Sequence, residues 1–584
     1  MLKLLHYLKK KEWADIALAF VFIILQVYLD LKMPDYMENV TMIATGSVSG
    51  SLQDILLNGA WMLLCAFGSL LGAFITGYFV SRLGAGFAYT LREEMNKKVQ
   101  SFSAAEIQRF SSASLITRCT NDVTQVQSLM TMGLQLLIKA PITAVWAILK
   151  IVNKEWEWTL ATAVTVIFVL LSVIAIILLV YKSFQRMQSL TDRLNGVTRE
   201  SLSGIRVVRA YNAEAEEEGK FAKANGEYTR NQRYSGNVTA FLSPVMSIAN
   251  NGLSLAIYWI GAFVIAKASL SSVALLYSDM VVFVSYASQV VMAFTMLVII
   301  FMVAPRAIVS ANRIEEVLET APTILDGKGV GTTEEKGCLS YQKVSFAYPG
   351  ASANVINDIS FSISTGETLA IVGATGSGKS TIISLLSRYY DVSEGLITLD
   401  GHPLKDYTLE ELNKKIAYVF QKAVLFSGNV AANIDFGDNN ADSQTIDSAI
   451  QISQSAEFVK KENGSYPEKV EQGGNNFSGG QKQRLAIARA IARKAEIYVF
   501  DDSFSALDFE TEKNLRSALK HSMNGVTEIV VAQRISTVKD ADLILVVDNG
   551  RIVGRGTHKE LLSSCPAYQE ICESQLSKEE IANA

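Results

Sequence analysis

Up to about residue 305 the chain is built from long apolar stretches; beyond it, apolar residues come in short runs regularly interrupted by polar ones. Six stretches approach the roughly 20 predominantly apolar residues needed to cross a bilayer: Trp13 to Leu31, Ile55 to Val80, Gly133 to Val152, Trp158 to Tyr181, Val238 to Ala266 and Val273 to Val303. Helices in a soluble core rarely stay apolar this long, so residues 1–320 are predicted to form an all-α six-helix transmembrane domain. Basic residues set its orientation, because cytoplasmic loops retain Lys and Arg. Lys9, Lys10 and Lys11 precede the first stretch; Arg82, Arg92, Lys97, Lys98, Arg109 and Arg118 lie between the second and third; the segment Lys182 to Asn237 is richer still. The opposite loops carry only Lys32, Lys154 and Lys267. Both termini are therefore expected in the cytoplasm. No small-residue cleavage site follows the first apolar run, which is expected to be retained.

The two inner segments are each about 50 residues long and rich in helix formers, which predicts helical extensions into the cytoplasm at about 1.5 Å per residue. Short elbows are expected at Phe110 to Asp122 and Gly204 to Ala213. Within the membrane stretches, Lys139, Lys150 and Asp279 sit toward helix ends, where snorkelling to the interface relieves the cost of a charge in lipid. Asn250 and Asn251, beyond Pro244, suit either amide-mediated helix packing or a substrate cavity. Met292, Phe294, Met296, Phe301 and Met302 suit ordinary packing, with an adaptable apolar pocket as the alternative.

Composition agrees with a lipid-solvated half: 49% of residues are hydrophobic and only 19% charged, against about 25% charged in soluble domains. A net charge of −4 leaves no basic stripe for phosphate-backbone binding, so nucleic acid is not an expected partner. Cys65, Cys119, Cys338, Cys565 and Cys572 lack metal-ligand spacing and are read as free thiols. The Lys-rich start and the acidic tail after Ser574 fit a bacterial plasma membrane.

Residues 321–337 turn polar and Gly-rich, reading as a linker, and residues 338–584 read as an α/β domain. Its strongest signal is Gly373-Ala374-Thr375-Gly376-Ser377-Gly378-Lys379-Ser380-Thr381, a full phosphate-binding loop pattern. A buried-strand run, Thr368 to Val372, precedes it and a helix start follows, so backbone N–H groups would converge on phosphates at a helix N-terminus. Lys379 adds a point charge and Ser380 offers a hydroxyl to Mg²⁺. Ile497 to Asp501 is an apolar strand ending in a carboxylate suited to Mg²⁺. Between them lie Gln421, able to reach the metal or an attacking water, and Asn476-Phe477-Ser478-Gly479-Gly480-Gln481, a second glycine pair opening a helix.

Taken in this order, the motifs resemble the ATP-binding cassette exporter family, and the resemblance covers essentially the whole chain. It implies an ATP-driven half-transporter in which two cassettes meet head to tail, each ATP enclosed by the phosphate loop of one and the Ser-Gly-Gly-Gln segment of the other. It further implies that Tyr348 stacks on adenine, that Ser478, Gly479 and Gly480 contact ATP held by a partner, that Asp508 lies at the cassette interface, and that the elbows dock near Gln421.

Two positions depart from the family pattern. Asp502 follows Asp501 where the family usually has a glutamate that polarises the attacking water, and a general base must come within about 2.6–3.2 Å of that water. Gln533 stands where the family usually has a histidine at the γ-phosphate, and an amide takes up no proton. The ATP-holding residues remain. The pairing is similar to the degenerate subunit of bacterial heterodimeric multidrug exporters, whose partner supplies the glutamate and histidine, while Phe477 to Gln481 would complete the partner's site. The expectation is a heterodimer moving small amphipathic molecules, drugs or lipids, out of the cytoplasm. A homodimeric lipid or peptide exporter and a non-transporting ATP-gated sensor are the alternatives.

Overall fold

The computed structural model describes residues 3–152, 154–269, 272–437, 441–462, 464–523 and 525–576. The Phe301 and Met302 side chains, and the acidic tail from residue 577 onward, lie outside the described residues. The chain divides into two compact units, one made of Met1–Gln100 and Ala113–Thr320, the other of Ser101–Ser112 and Ala321–Ala584.

The first unit is all helix, with six helices long and apolar enough to cross a membrane: Lys10–Ala44, Leu52–Gln100, Ser112–Ile151, Trp156–Ser203, Glu214–Lys267 and Val273–Glu319. Each extends past the apolar stretch that announces it, because helix formers continue the backbone ladder where lipid-length hydrophobicity stops. Leu63, Phe67, Phe74, Leu178 and Trp259 stand outward and exposed, a surface that only an apolar solvent tolerates. Inside, Ile23, Val27, Trp158, Leu253, Phe283 and Tyr286 form a packed core. The helix Ser112–Ile151 contains two π turns, Arg118–Asp122 and Leu129–Gly133. At the first, Arg118 donates to the Arg313 carbonyl and to Glu316, both at 2.7 Å, while Ser310 donates to Asp122 at 2.8 Å.

The charged side chains toward the helix ends are paired. Lys139 lies 3.5 Å from Asp30, Lys150 lies 2.8 Å from Asp35, and Asp279 pairs with Lys154. Asp35 also accepts from Lys32 at 3.0 Å and from Tyr286, and Lys154 reaches Glu38 at 3.0 Å. The first membrane helix supplies three carboxylates, Asp30, Asp35 and Glu38, which neutralise these lysines. Phe294 packs against the core, whereas Met292 is exposed.

The first elbow lies earlier than Phe110 to Asp122. It is the helix Ala104–Phe110, opened by a capping box between Ser103 and Glu106 and closed by Ser111 in the left-handed region, φ 61°. Phe110 is its last residue, and Ser112 onward is already the next long helix. The second elbow, Ile205–Ala210, falls inside Gly204 to Ala213 and buries no residue.

The second unit holds two main sheets and a short antiparallel ladder of β7 Gly428–Asn429 with β8 Lys469–Val470. An antiparallel sheet has the order β2-β1-β4-β5, with β1 Leu339–Phe346, β2 Ile356–Ile363, β4 Glu394–Leu399 and β5 His402–Pro403. A larger sheet has the order β12-β11-β3-β10-β9-β6, made of β3 Thr368–Val372, β6 Ile416–Val419, β9 Ile497–Asp501, β10 Thr527–Val531, β11 Leu543–Asp548 and the antiparallel edge β12 Arg551–Gly556. Its inner strands are parallel and buried on both faces, which explains their unbroken apolar runs. The helix Lys379–Leu386 contributes Ile382, Ile383, Leu385 and Leu386 to the core it shares with the antiparallel sheet. The opposite face of the parallel sheet is covered by a core containing Leu515, Leu519, Ile535, Tyr568 and Cys572.

The linker is bound rather than loose. Gly327 and Gly329 donate to the Tyr407 and Asp406 carbonyls at 3.1 and 2.9 Å, Val330 and Gly331 donate to Glu411, and Arg388 donates to the Leu325 carbonyl at 2.9 Å.

Candidate nucleotide site

Three parallel strands end together, and their ends carry the chemistry. β3 runs into the phosphate loop, β9 ends at Asp501, and β10 leads to Gln533; in open α/β sheets ligands bind at this carboxyl edge. Gly373 must lack a side chain, since a Cβ there would lie 2.1 Å from the Val547 carbonyl oxygen. Gly376 and Gly378 take φ of 82° and 105°, turning the loop into the helix that starts at Lys379.

Lys379 is curled back into this loop and donates to the Gly373 and Ala374 carbonyls at 2.9 and 2.7 Å. Burial lowers its pKa, while the charges of Asp502 and Asp501 act to raise it. Ser377 Oγ is buried without a hydrogen-bond partner, an orphaned donor inside a loop of backbone N–H groups. A phosphate would supply the missing acceptor and the anion that Lys379 now lacks, so the cradle fits ATP.

The metal candidates also converge. Ser380 Oγ donates to Asp501 Oδ1 at 3.2 Å, and Tyr418 OH donates to Asp501 Oδ2 at 3.1 Å. Burial raises the Asp501 pKa, and these two hydrogen bonds oppose the rise. A hydroxyl and a carboxylate side by side form the hard-oxygen pair that suits Mg²⁺ with its remaining waters.

Beside them Asp502 adopts φ 47° and offers Oδ2 to two amides, Gln421 Nε2 at 3.2 Å and Gln533 Nε2 at 3.0 Å. Tyr348 OH shares a 3.0 Å hydrogen bond with Thr381 Oγ1, and its half-buried ring meets Tyr390 edge-on at 5.2 Å. Tyr390 OH in turn donates to Gln108 of the first elbow at 3.4 Å, so that elbow lies one residue removed from the proposed adenine platform.

Phe477 to Gln481 and Asp508 stand apart; among the described residues no hydrogen bond joins them to the phosphate loop. Ser478 caps the helix Gly479–Ala492 through a reciprocal box, accepting from Gln481 N–H at 3.3 Å while Gln481 Oε1 accepts from Ser478 N–H at 2.9 Å. Phe477 is buried with Leu425 and Leu485. A Cβ on Gly480 would lie 3.1 Å from the Ala506 carbonyl oxygen, and Asp508 caps the helix Phe509–Ser522 by accepting from Thr511 at 2.9 Å.

Tyr418 was not foreseen. Its signal was the parallel neighbour relation of β6 and β9, in which Tyr418 pairs with Val499 two residues before Asp501.

Two family models account for the chain: the ABC transporter transmembrane region matches residues 16–294, and the ABC transporter model matches residues 356–505. The chain belongs to the ABC transporter family. An ABC transporter ATP-binding protein of Mycobacterium tuberculosis is 40% identical over 550 residues, 92% of each chain. The ABC transporter ATP-binding protein YfiB of Bacillus subtilis is 33% identical over 99% of each. An ATP-dependent lipid A-core flippase of Pseudomonas syringae is 32% identical, over 86% of this chain and 82% of its own. Among solved structures, a bacterial Atm1-family ABC exporter with ATP bound superposes with a TM-score of 0.79 at 25% identity, covering 97% of this chain and 98% of that one. The ABC transporter described here is thus a multi-pass half-transporter whose cassette is an ATPase coupled to export.

Proposed function

We propose that this half-transporter works in a heterodimer and forms, with its own phosphate loop and Asp501, the slow one of two ATP sites. The observation that carries this reading is Asp502, a carboxylate one methylene shorter than the usual base, with one oxygen already bound by the amides of Gln421 and Gln533. Lys379 and the loop N–H groups would hold the phosphates, and Ser380, Asp501 and Gln421 would hold Mg²⁺, whose charge stabilises the transferring phosphoryl group. Tyr348 would carry adenine. Neither Gln533 nor Gln421 exchanges a proton near neutral pH, so proton removal from water falls to Asp502 alone. Ser478, Gly479, Gly480 and Gln481, with Phe477 buried behind them, would close on nucleotide held by a partner chain, and Asp508 would face that partner.

The partner supplies the glutamate and histidine missing here. Movement follows from preference: ATP shifts the pair toward its closed state only because it binds that state more tightly. The substrate class is small amphipathic molecules, drugs or lipids, leaving the cytoplasm of a bacterial plasma membrane in which both termini of this chain are cytoplasmic. The likeness to a lipid A-core flippase brings lipids within the range. Steady ATP turnover of the purified chain in lipid nanodiscs tests the assignment. Slow turnover alone and rapid turnover after the partner is added are expected; brisk turnover in an assembly of two identical copies overturns it.

A further inference from the structure

The loop that carries Gln533 is gripped from outside the site. Past β10, the chain runs Ala532 to Ile535 and enters the short helix Ile535–Val538. On one side, Arg534 donates to Glu512 at 2.9 Å, Thr537 donates to the same carboxylate at 2.6 Å, and Arg516 donates to the Ser536 carbonyl at 2.9 Å. On the other side stands one side chain from the last described helix, Pro566–Gln575. Gln575 Oε1 accepts from the Ile535 N–H at 2.8 Å, and Gln575 Nε2 donates to the Gln533 carbonyl at 2.7 Å. The helix that brings it is anchored through Tyr568 and Cys572, both fully buried.

We infer that Gln575 is a positioning residue for the nucleotide site, its amide fixing the backbone on both sides of Arg534, immediately after Gln533, so that the Gln533 side chain stays aimed at Asp502. The inference rests on the reading that Gln533 stands at the γ-phosphate end. One flat group with a donor and an acceptor is needed to hold a carbonyl and an N–H two residues apart, and among uncharged side chains only Gln and Asn carry both in one amide. Gln575 is itself exposed, so losing it leaves water to replace both bonds. The fold therefore survives its removal, and the loop loosens.

The full chain in lipid nanodiscs provides the test, with Gln575→Ala, Gln575→Met and Gln575→Glu compared with the parent. Met keeps the bulk and loses both bonds; Glu keeps the acceptor for Ile535 but sets a carboxylate against the Gln533 carbonyl. Hydrogen exchange across residues 531–538 is expected to quicken about five- to tenfold in all three, the effect of losing roughly one net hydrogen bond, with Tm nearly unchanged. In a chain carrying Asp502→Glu and Gln533→His, assembled with its partner, each Gln575 variant is expected to lower kcat about fivefold while KM for ATP holds. Parent-like exchange and kcat in Gln575→Met would overturn the positioning role. Failure of Asp502→Glu with Gln533→His to raise turnover would instead overturn the slow-site reading, and the exchange measurement would still decide on Gln575.

Discussion

Replacing Asp502 by Glu adds one methylene and moves the carboxylate outward by about 1.5 Å, one carbon–carbon bond. A positioned general base accelerates by about 10²–10⁴. Against this stands the present engagement of Oδ2 with Gln421 at 3.2 Å and Gln533 at 3.0 Å. Freeing the carboxylate from the weaker of these costs about one net hydrogen bond, roughly 1 kcal/mol or a factor of about five. The net expectation is a rise in turnover of at least about 20-fold at this site, from the low end of the range divided by that factor. Phosphate release at saturating Mg-ATP measures it, alongside nucleotide affinity by fluorescent-ATP titration, which should stay constant because Lys379, Ser380 and Asp501 are untouched. A gain below about threefold with intact affinity would show that the missing methylene does not limit this site.

Four further outcomes follow from the geometry. Gly373→Ala should lower ATP affinity more than tenfold in the same titration, since its Cβ would lie 2.1 Å from the Val547 carbonyl oxygen. Tyr418→Phe removes the 3.1 Å bond to Asp501 Oδ2 and should raise the Mg²⁺ concentration for half-maximal nucleotide binding several-fold, while metal-free binding is unchanged. Lys150→Met should cost about 1–2 kcal/mol in unfolding, because its pair with Asp35 is only partly covered, at 36% and 20% exposure, and Asp35→Asn on top should cost less than its own single effect. Burial holds the His558 pKa below its usual value of 6.5, so the folded cassette favours neutral imidazole; its stability should fall as pH drops below about 6.5, and the slope of Tm against pH should flatten in His558→Gln.

The six membrane helices were legible because lipid demands a length of apolar sequence that little else produces. The phosphate loop, Ser380 and Asp501 were legible because phosphate and Mg²⁺ accept few residue types at fixed spacing. The first elbow was misplaced although Ser103-x-x-Glu106 is a capping box in plain sight, because helix formers on both sides of it continue the helical pattern. The two π turns leave no mark on composition, since they are changes of hydrogen-bond register within an unbroken helix. The pairing of Lys139, Lys150 and Asp279 requires knowing which helices are neighbours, and residue positions along one helix do not contain that. Gln575 lies 42 residues from Gln533 and 40 from Ile535, in a segment with no motif of its own.

The stretch from Leu325 to Gly331 is tied down by Arg388, Tyr407, Asp406 and Glu411, so this segment adds no free contour to the second unit. A rope made fast along most of its length transmits a tug at once, whereas a coil of equal contour first has to be drawn taut. Lengthening this segment with Gly and Ser would therefore loosen these bonds and return to the chain the slack that they remove.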